Sequence, residues 1–123
     1  MNKDQMKGYY EKYNQSVNDA FETYYADDAV FEYQDLKLEG KKAIFAHFAD
    51  IQDAFKEVMT PLNILIDGDR AAVEVESKMQ AKIDIPDFLG RGPLMKGETL
   101  TAKFSGFYDL RGDKIRHIRI YTY

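Results

Sequence analysis

The chain contains no cysteine, which excludes disulfides, thiolate nucleophiles and cysteine-ligated zinc while leaving the redox compartment open. It has two histidines, His47 and His117, and they share no metal-ligand spacing with carboxylates, so no metal is expected. Apolar runs of the roughly 18 residues that cross a membrane are missing, and the polar segment 1–8 has no apolar stretch of signal-peptide type. These absences predict no membrane partner and a cytoplasmic location. An excess of positive charge is missing too. The 17 Lys and Arg are scattered among 21 Asp and Glu, for a net charge of -4, which argues against a nucleic-acid partner. There is no phosphate-cradling glycine loop, nucleophile elbow or dinucleotide fingerprint, and Gly90-Arg91-Gly92-Pro93 opens no helix. No cofactor is expected.

What the chain does have is an aromatic core: nine tyrosines and eight phenylalanines in 123 residues that are 45% hydrophobic. That length and composition predict one globular domain over 1–123. Residues 4–24 carry Met6, Tyr10, Tyr13, Val17, Ala20, Phe21 and Tyr24 at alternating spacings of three and four, which predicts one long amphipathic helix with Tyr9 at the edge of its stripe. Asp27-Asp28 reads as turn and cap chemistry before a strand over 29–33 with a short companion at 36–38. A second helix follows over 41–56, with Ile44, Phe48, Ile51 and Phe55 on its apolar face.

Beyond it the period changes to two. Gly68-Asp69 reads as a hairpin turn that pairs Ile66 with Ala71, Ile64 with Val73 and Leu62 with Val75. Glu74, Glu76 and Lys78 alternate with these and form the solvated or interface side. Residues 83–97 read as a long loop rich in glycine and proline. Its Ile85, Phe88, Leu89, Leu94 and Met95 are too apolar for a solvated loop, so it is either a lid or a contact with a partner subunit. Two long strands over 98–110 and 114–123 complete an α+β fold, with helices on one face of a curved antiparallel sheet.

The final hairpin gives conflicting signals. A two-residue loop at Gly112-Asp113 puts Asp109, Phe107, Ser105 and Lys103 opposite Arg116, Ile118, Ile120 and Thr122 on one face. The other face then holds Tyr108 with His117, Phe104 with Tyr121 and Ala102 with Tyr123. Ile118 and Ile120 ask to be inside, yet so do Phe104 and Tyr108. An aromatic face left in water would be a large exposed patch. The reading adopted gives the Ile118 and Ile120 face to the helices, and Phe104, Tyr108, His117, Tyr121 and Tyr123 to a second subunit. Asp109 with Arg116 then forms a cross-strand ion pair.

The run Tyr24-Tyr25-Ala26-Asp27-Asp28-Ala29-Val30-Phe31-Glu32-Tyr33, continued by Leu38-Glu39-Gly40-Lys41-Lys42-Ala43-Ile44 and answered by Gly112-Asp113-Lys114-Ile115 and the Ile/Arg/Tyr terminal strand, resembles the nuclear transport factor two-like superfamily. This group includes SnoaL-like polyketide cyclases and ketosteroid isomerases. The resemblance covers nearly the whole chain. It implies a cone-shaped α+β barrel whose interior binds a small apolar molecule, and a homodimer formed through the outer sheet face. Ketosteroid isomerases use a helix tyrosine, a carboxylate base on the first strand and a second, protonated acid. Counted from Asp27-Asp28, the tyrosine falls on Tyr9, but the two acid positions fall on Tyr33 and Thr101, so that mechanism does not carry over. SnoaL-like cyclases use an Asp and a His inside the cone.

Three residues are therefore catalytic candidates. His47, beside the apolar stripe of the second helix, points into the cavity or sits on its shoulder, and imidazole suits acid/base work near neutral pH. Lys103 among Phe107, Ile120 and helix aromatics would lose solvation and serve as a base, an anion site or a Schiff-base amine; near the rim it would instead reach water. Tyr9 is the third. The expected pocket wall is Tyr9, Tyr13, Tyr33, Phe48, Phe55 and Phe88, with Thr101, Lys103, Ser105, Phe107, Ile118 and Ile120 from the last hairpin. The expected function is a cofactor-independent enzyme for proton transfer, isomerisation, cyclisation or dehydration; the alternative is a ligand-binding or association module.

Overall fold

A computed structural model describes residues 1–88 and 90–122. Leu89 and Tyr123, named above for the loop and the interface, lie outside the described residues. The elements are α1 (Lys3–Gln15), α2 (Val17–Tyr24), β1 (Tyr25–Tyr33), β2 (Leu36–Glu39), α3 (Lys41–Ala54), β3 (Phe55–Asp67), β4 (Arg70–Ala81), β5 (Thr99–Arg111) and β6 (Lys114–Thr122). The six strands form one curved sheet in the order β2-β1-β6-β5-β4-β3. Every neighbouring pair is antiparallel except β1 and β6, which run parallel. The helices pack on the concave face, as the α+β reading expects.

The long first helix is in fact two. Asn2 caps α1 in a reciprocal box with Gln5, satisfying two orphan donors at the helix start. Ser16 then takes an extended conformation, closes α1 through its backbone and accepts from the Asp19 backbone N–H at 3.3 Å to start α2. A hydroxyl that bonds the backbone locally competes with helix continuation, and the apolar spacing alone does not reveal it. Met6, Tyr10, Ala20 and Phe21 are buried together across the break.

Two more boundaries differ from expectation. Asp27 and Asp28 lie within β1 rather than in a turn. There Asp28 accepts both guanidinium arms of Arg111 at 3.1 Å, and Asp27 pairs with Lys41 at 3.6 Å. Phe55 is the first residue of β3 and not the end of the helix. From it the alternation Phe55, Glu57, Met59 turns inward, opposite Ala81, Met79 and Ser77. The Gly68-Asp69 turn holds Ile66 opposite Ala71 and Ile64 opposite Val73, as expected, but a bulge at Leu62 makes Pro61 the partner of Val75 and leaves Leu62 exposed. Proline lacks the N–H a regular ladder needs and is tolerated on an edge strand, which is where β3 lies. Asn14 covers part of that edge, with its side-chain amide bonded both ways to the Met59 backbone at 2.8 Å.

The β5–β6 hairpin resolves the conflict in its sequence. Arg111 faces Lys114 across Gly112-Asp113 as expected, but a bulge follows: Leu110 faces Ile115, and Asp109 faces His117. Arg116 is the extra residue, and beyond it the register is displaced by one. Tyr108 now lies opposite Ile118 and Phe104 opposite Thr122, so Phe104, Tyr108, Ile118 and Ile120 all turn to the helices. The expectations for the other residues are corrected accordingly. Thr101, Lys103, Ser105 and Phe107 lie on the outer row, with Thr101, Lys103 and Phe107 exposed, while Tyr108 is buried and Phe104 half-buried within. One inserted residue lets both strands bury their apolar sides, which no bulge-free register can do.

Candidate functional site

The concave face of the sheet and helices α1 and α3 enclose a cavity of about 350 Å³, at the small end of the roughly 300–1,000 Å³ of ligand sites. Tyr9, Tyr13, Tyr33, Phe48, Phe55, Phe88, Ile118 and Ile120 from the expected wall do line it. Lys103 reaches it only at the rim from an exposed position, and the outward turn of Thr101, Ser105 and Phe107 takes them off the wall. Phe88 comes from the 83–97 loop and packs on Phe55 with ring centroids 4.9 Å apart. With Leu94 and Ala81 it forms a small second core that closes one side of the cavity. Ile83 and Met95 of the same loop stay exposed.

The carboxylate of the cavity and its two hydroxyl donors come from α1, β3 and β4. Helical spacing puts Tyr9 and Tyr13 on one face of α1, and the Asn14–Met59 clamp docks that helix against β3. Tyr13 consequently meets Glu57: its hydroxyl donates to Oε1 at 2.6 Å. Ser77, buried on β4 in line with Val73 and Val75, donates from Oγ to Oε2, also at 2.6 Å. Glu57 is thus a carboxylate fixed by two hydroxyl donors in a largely apolar chamber. Tyr9 shares a 3.0 Å hydrogen bond with Tyr25, and Tyr10 is hydrogen-bonded to Tyr108.

Burial pushes the Tyr9, Tyr10, Tyr13 and Tyr25 hydroxyls well above the ordinary tyrosine range, because a phenolate there would lose its hydration. Burial raises Tyr108 to about 12, against the opposing effect of its bond to Tyr10. These phenols remain neutral donors at ordinary pH and none is a base. Glu57 is the one carboxylate among the lining residues. His47 also lines the cavity, partly buried, with its ring perpendicular to Phe48 at 5.4 Å and 6.1 Å from Phe31.

Glu57 and Ser77 are what sequence reasoning missed. Glu57 falls just past the helix expected over 41–56, in a stretch given no element. The signal was the alternation starting at Phe55, which places an acid in an inward slot between two apolar residues. Ser77 carried a similar signal as the polar member of the Val73, Val75 row. Among the described residues no group of three or more His, Asp or Glu is placed to hold a metal ion. No described helix is long and apolar enough to cross a membrane.

The outer face differs in character. Phe107 and Tyr121 are exposed and touch edge to face at 5.6 Å, with Leu65 exposed in the same row by pairing through Ala72. Beside them His117 lies 2.5 Å from Glu32, and Asp109 accepts from Arg119 at 3.2 Å. The expected Asp109–Arg116 pair is present at 3.8 Å, although the two residues do not face each other in the ladder. Burial alone would raise the Asp109 carboxyl, but the Arg119 hydrogen bond and the surrounding positive charge hold it below its ordinary value.

A concave sheet closed by helices over an apolar chamber with a few convergent hydroxyls and one acid defines a ligand-binding α+β fold of the ketosteroid isomerase-like type. The chain belongs to the SnoaL-like domain family, whose profile matches residues 6–118. No curated protein matches the sequence. Among solved structures it is similar to a protein assigned as a polyketide cyclase from a Silicibacter species, with TM-score 0.81 at 19% identity over 98% of this chain and 87% of that one. A second such protein, from Xanthomonas campestris, gives TM-score 0.80 at 20% identity over 97% and 87%. A ketosteroid isomerase-like fold from Catenulispora acidiphila, solved with trimethylamine, gives TM-score 0.77 at 13% identity over 98% and 86%. Identities this low establish the shared fold alone.

Proposed function

We propose that the protein is a cofactor-independent enzyme that moves a proton on a small, mostly apolar substrate held in the cavity. The observation that carries this reading is Glu57, an acid oriented by Tyr13 and Ser77 inside an otherwise apolar chamber. A carboxylate so placed is positioned to act as a general base. Neutral tyrosine hydroxyls such as Tyr9 supply donors for negative charge that develops on a substrate oxygen. His47, which also lines the chamber, is the second acid/base group: it donates its own proton to the substrate while Glu57 keeps the one it has taken, and the two exchange protons with water to reset the site.

The test is proton exchange. Small cyclic ketones incubated with the protein in heavy water are expected to exchange their α-protons faster than in buffer, followed by proton NMR. Glu57→Gln is expected to lower that rate by about 10²- to 10⁴-fold, with a smaller loss for His47→Ala. A ketone that binds the cavity yet exchanges no faster than in buffer would leave a binding protein without catalysis.

A second reading, association through the outer sheet face, is favoured by the exposed Phe107–Tyr121 pair and Leu65. It is compatible with the first. In it two copies cover these rings face to face, with His117 and its acidic partners at the border.

A further inference from the structure

Resting on the reading of the cavity as a ligand site, we propose that its ligand is a small organic cation: a protonated amine with an apolar body, its ammonium group seated on Glu57. Each Glu57 oxygen accepts one hydrogen bond from a neutral hydroxyl, Tyr13 at Oε1 and Ser77 at Oε2, both at 2.6 Å. A carboxylate offers about four acceptor sites, so two of these remain. Among the described residues no Lys, Arg or His pairs with it. Glu57 is partly buried and faces the chamber, so an opposite charge brought by a ligand would meet a carboxylate already held in place. The chain places its cations elsewhere: Lys103 is exposed at the rim, and the Arg116 and Arg119 guanidiniums serve Asp109 on the outer face.

The walls agree with the same ligand chemistry. Tyr13, Phe48, Phe55 and Phe88 surround the chamber beside Glu57, and aromatic faces attract a desolvated cation through the ring quadrupole. Tyr13 contributes both a ring to the wall and a hydroxyl that fixes the acid. An anionic ligand would meet the Glu57 carboxylate, with which no described Lys, Arg or His pairs.

The test compares two ligands of one shape and different charge, benzylamine and benzyl alcohol, each titrated at neutral pH into the isotope-labelled full chain and followed by amide NMR. Benzylamine is expected to bind at least tenfold more tightly, with shifts centred on Tyr13, Glu57 and Ser77. Glu57→Gln is expected to abolish that preference while keeping benzyl alcohol binding, which also shows that the variant folds. Should the variant fail to fold, the ratio in the wild-type protein decides. Equal binding, or tighter binding of the alcohol, overturns the cation preference and leaves the cavity as a ligand site. Shifts centred on Phe107 and Tyr121 overturn the proposal, because the cation would then sit on the outer face. Binding of neither compound overturns the proposal and removes support from the cavity reading on which it rests.

Discussion

Gly106, opposite Ile120 in the β5–β6 ladder, has no room for a side chain. A Cβ there would lie 2.8 Å from Cε2 and 2.9 Å from the hydroxyl oxygen of Tyr108, so the Tyr108 ring folds over the glycine to reach Tyr10. Gly106→Ala is expected to displace that ring, break the Tyr10 hydrogen bond and destabilise the protein by about 1–3 kcal/mol, as for overpacking; chemical denaturation measures it. The buried phenols carry a second expectation. The unfolded chain releases tyrosine protons near 10.0, whereas folded Tyr108 holds its proton to about 12. A folded value above the unfolded one means that the contribution is full below pH 10 and is lost as pH rises toward 12. Denaturation midpoints on either side of pH 10 should therefore fall on the alkaline side. Phenolate absorbance from the five buried tyrosines, Tyr9, Tyr10, Tyr13, Tyr25 and Tyr108, should appear together with unfolding rather than before it.

Among the elements, the β5–β6 hairpin makes the sharpest prediction, because the bulge at Arg116 alone decides which side chains of β6 face the helices. Inserting one alanine after Arg116 leaves the Gly112-Asp113 turn intact but displaces the register again and sends Ile118 and Ile120 outward. The expected result is loss of the folded protein, read by circular dichroism and solubility. Substituting Arg116→Ala keeps the residue count and should fold, with a loss under about 1 kcal/mol for its exposed ion pair. The same hairpin shows how far the sequence could be read. Both two-residue turns and the β3–β4 pairing from Ile64 to Ala71 follow from alternation and turn chemistry. Ile118 and Ile120 were placed inward, and so was most of the aromatic wall from α1 and α3. The bulge was not legible because it is a matter of residue count, decided by which register buries most apolar area. Its trace was that Phe104 and Tyr108 competed with Ile118 and Ile120 for one interior. Phe55 and Ser16 escaped for a related reason: a helical spacing can continue across a break that hydroxyl capping or strand pairing imposes. Glu57 was hidden by the misplaced helix end, and with it the one acid of the chamber.

For the whole molecule, the expectation concerns association. With Phe107, Tyr121 and Leu65 outward and the acid-bearing cavity inward, the two faces of the sheet can be tested separately. Analytical ultracentrifugation is expected to show a dimer for the wild-type chain. Phe107→Asp with Tyr121→Asp should give a monomer that still binds ligand in the cavity. A wild-type monomer would overturn association through this face and leave the cavity reading untouched.

The centre of the sheet joins the first long strand to the last. Glu32 and His117, in contact across β1 and β6, are 85 residues apart along the chain, and that pair is the one parallel join in the sheet. Closing so long a loop is entropically expensive and slows folding. During synthesis β1 must wait with an unpaired edge until β6 has emerged. The cavity lacks the wall contributed by Ile118 and Ile120 until β6 docks, so a ligand is recognised only by a finished molecule. A growing chain thus exposes aromatic surface until β6 has been made, and that interval favours aggregation.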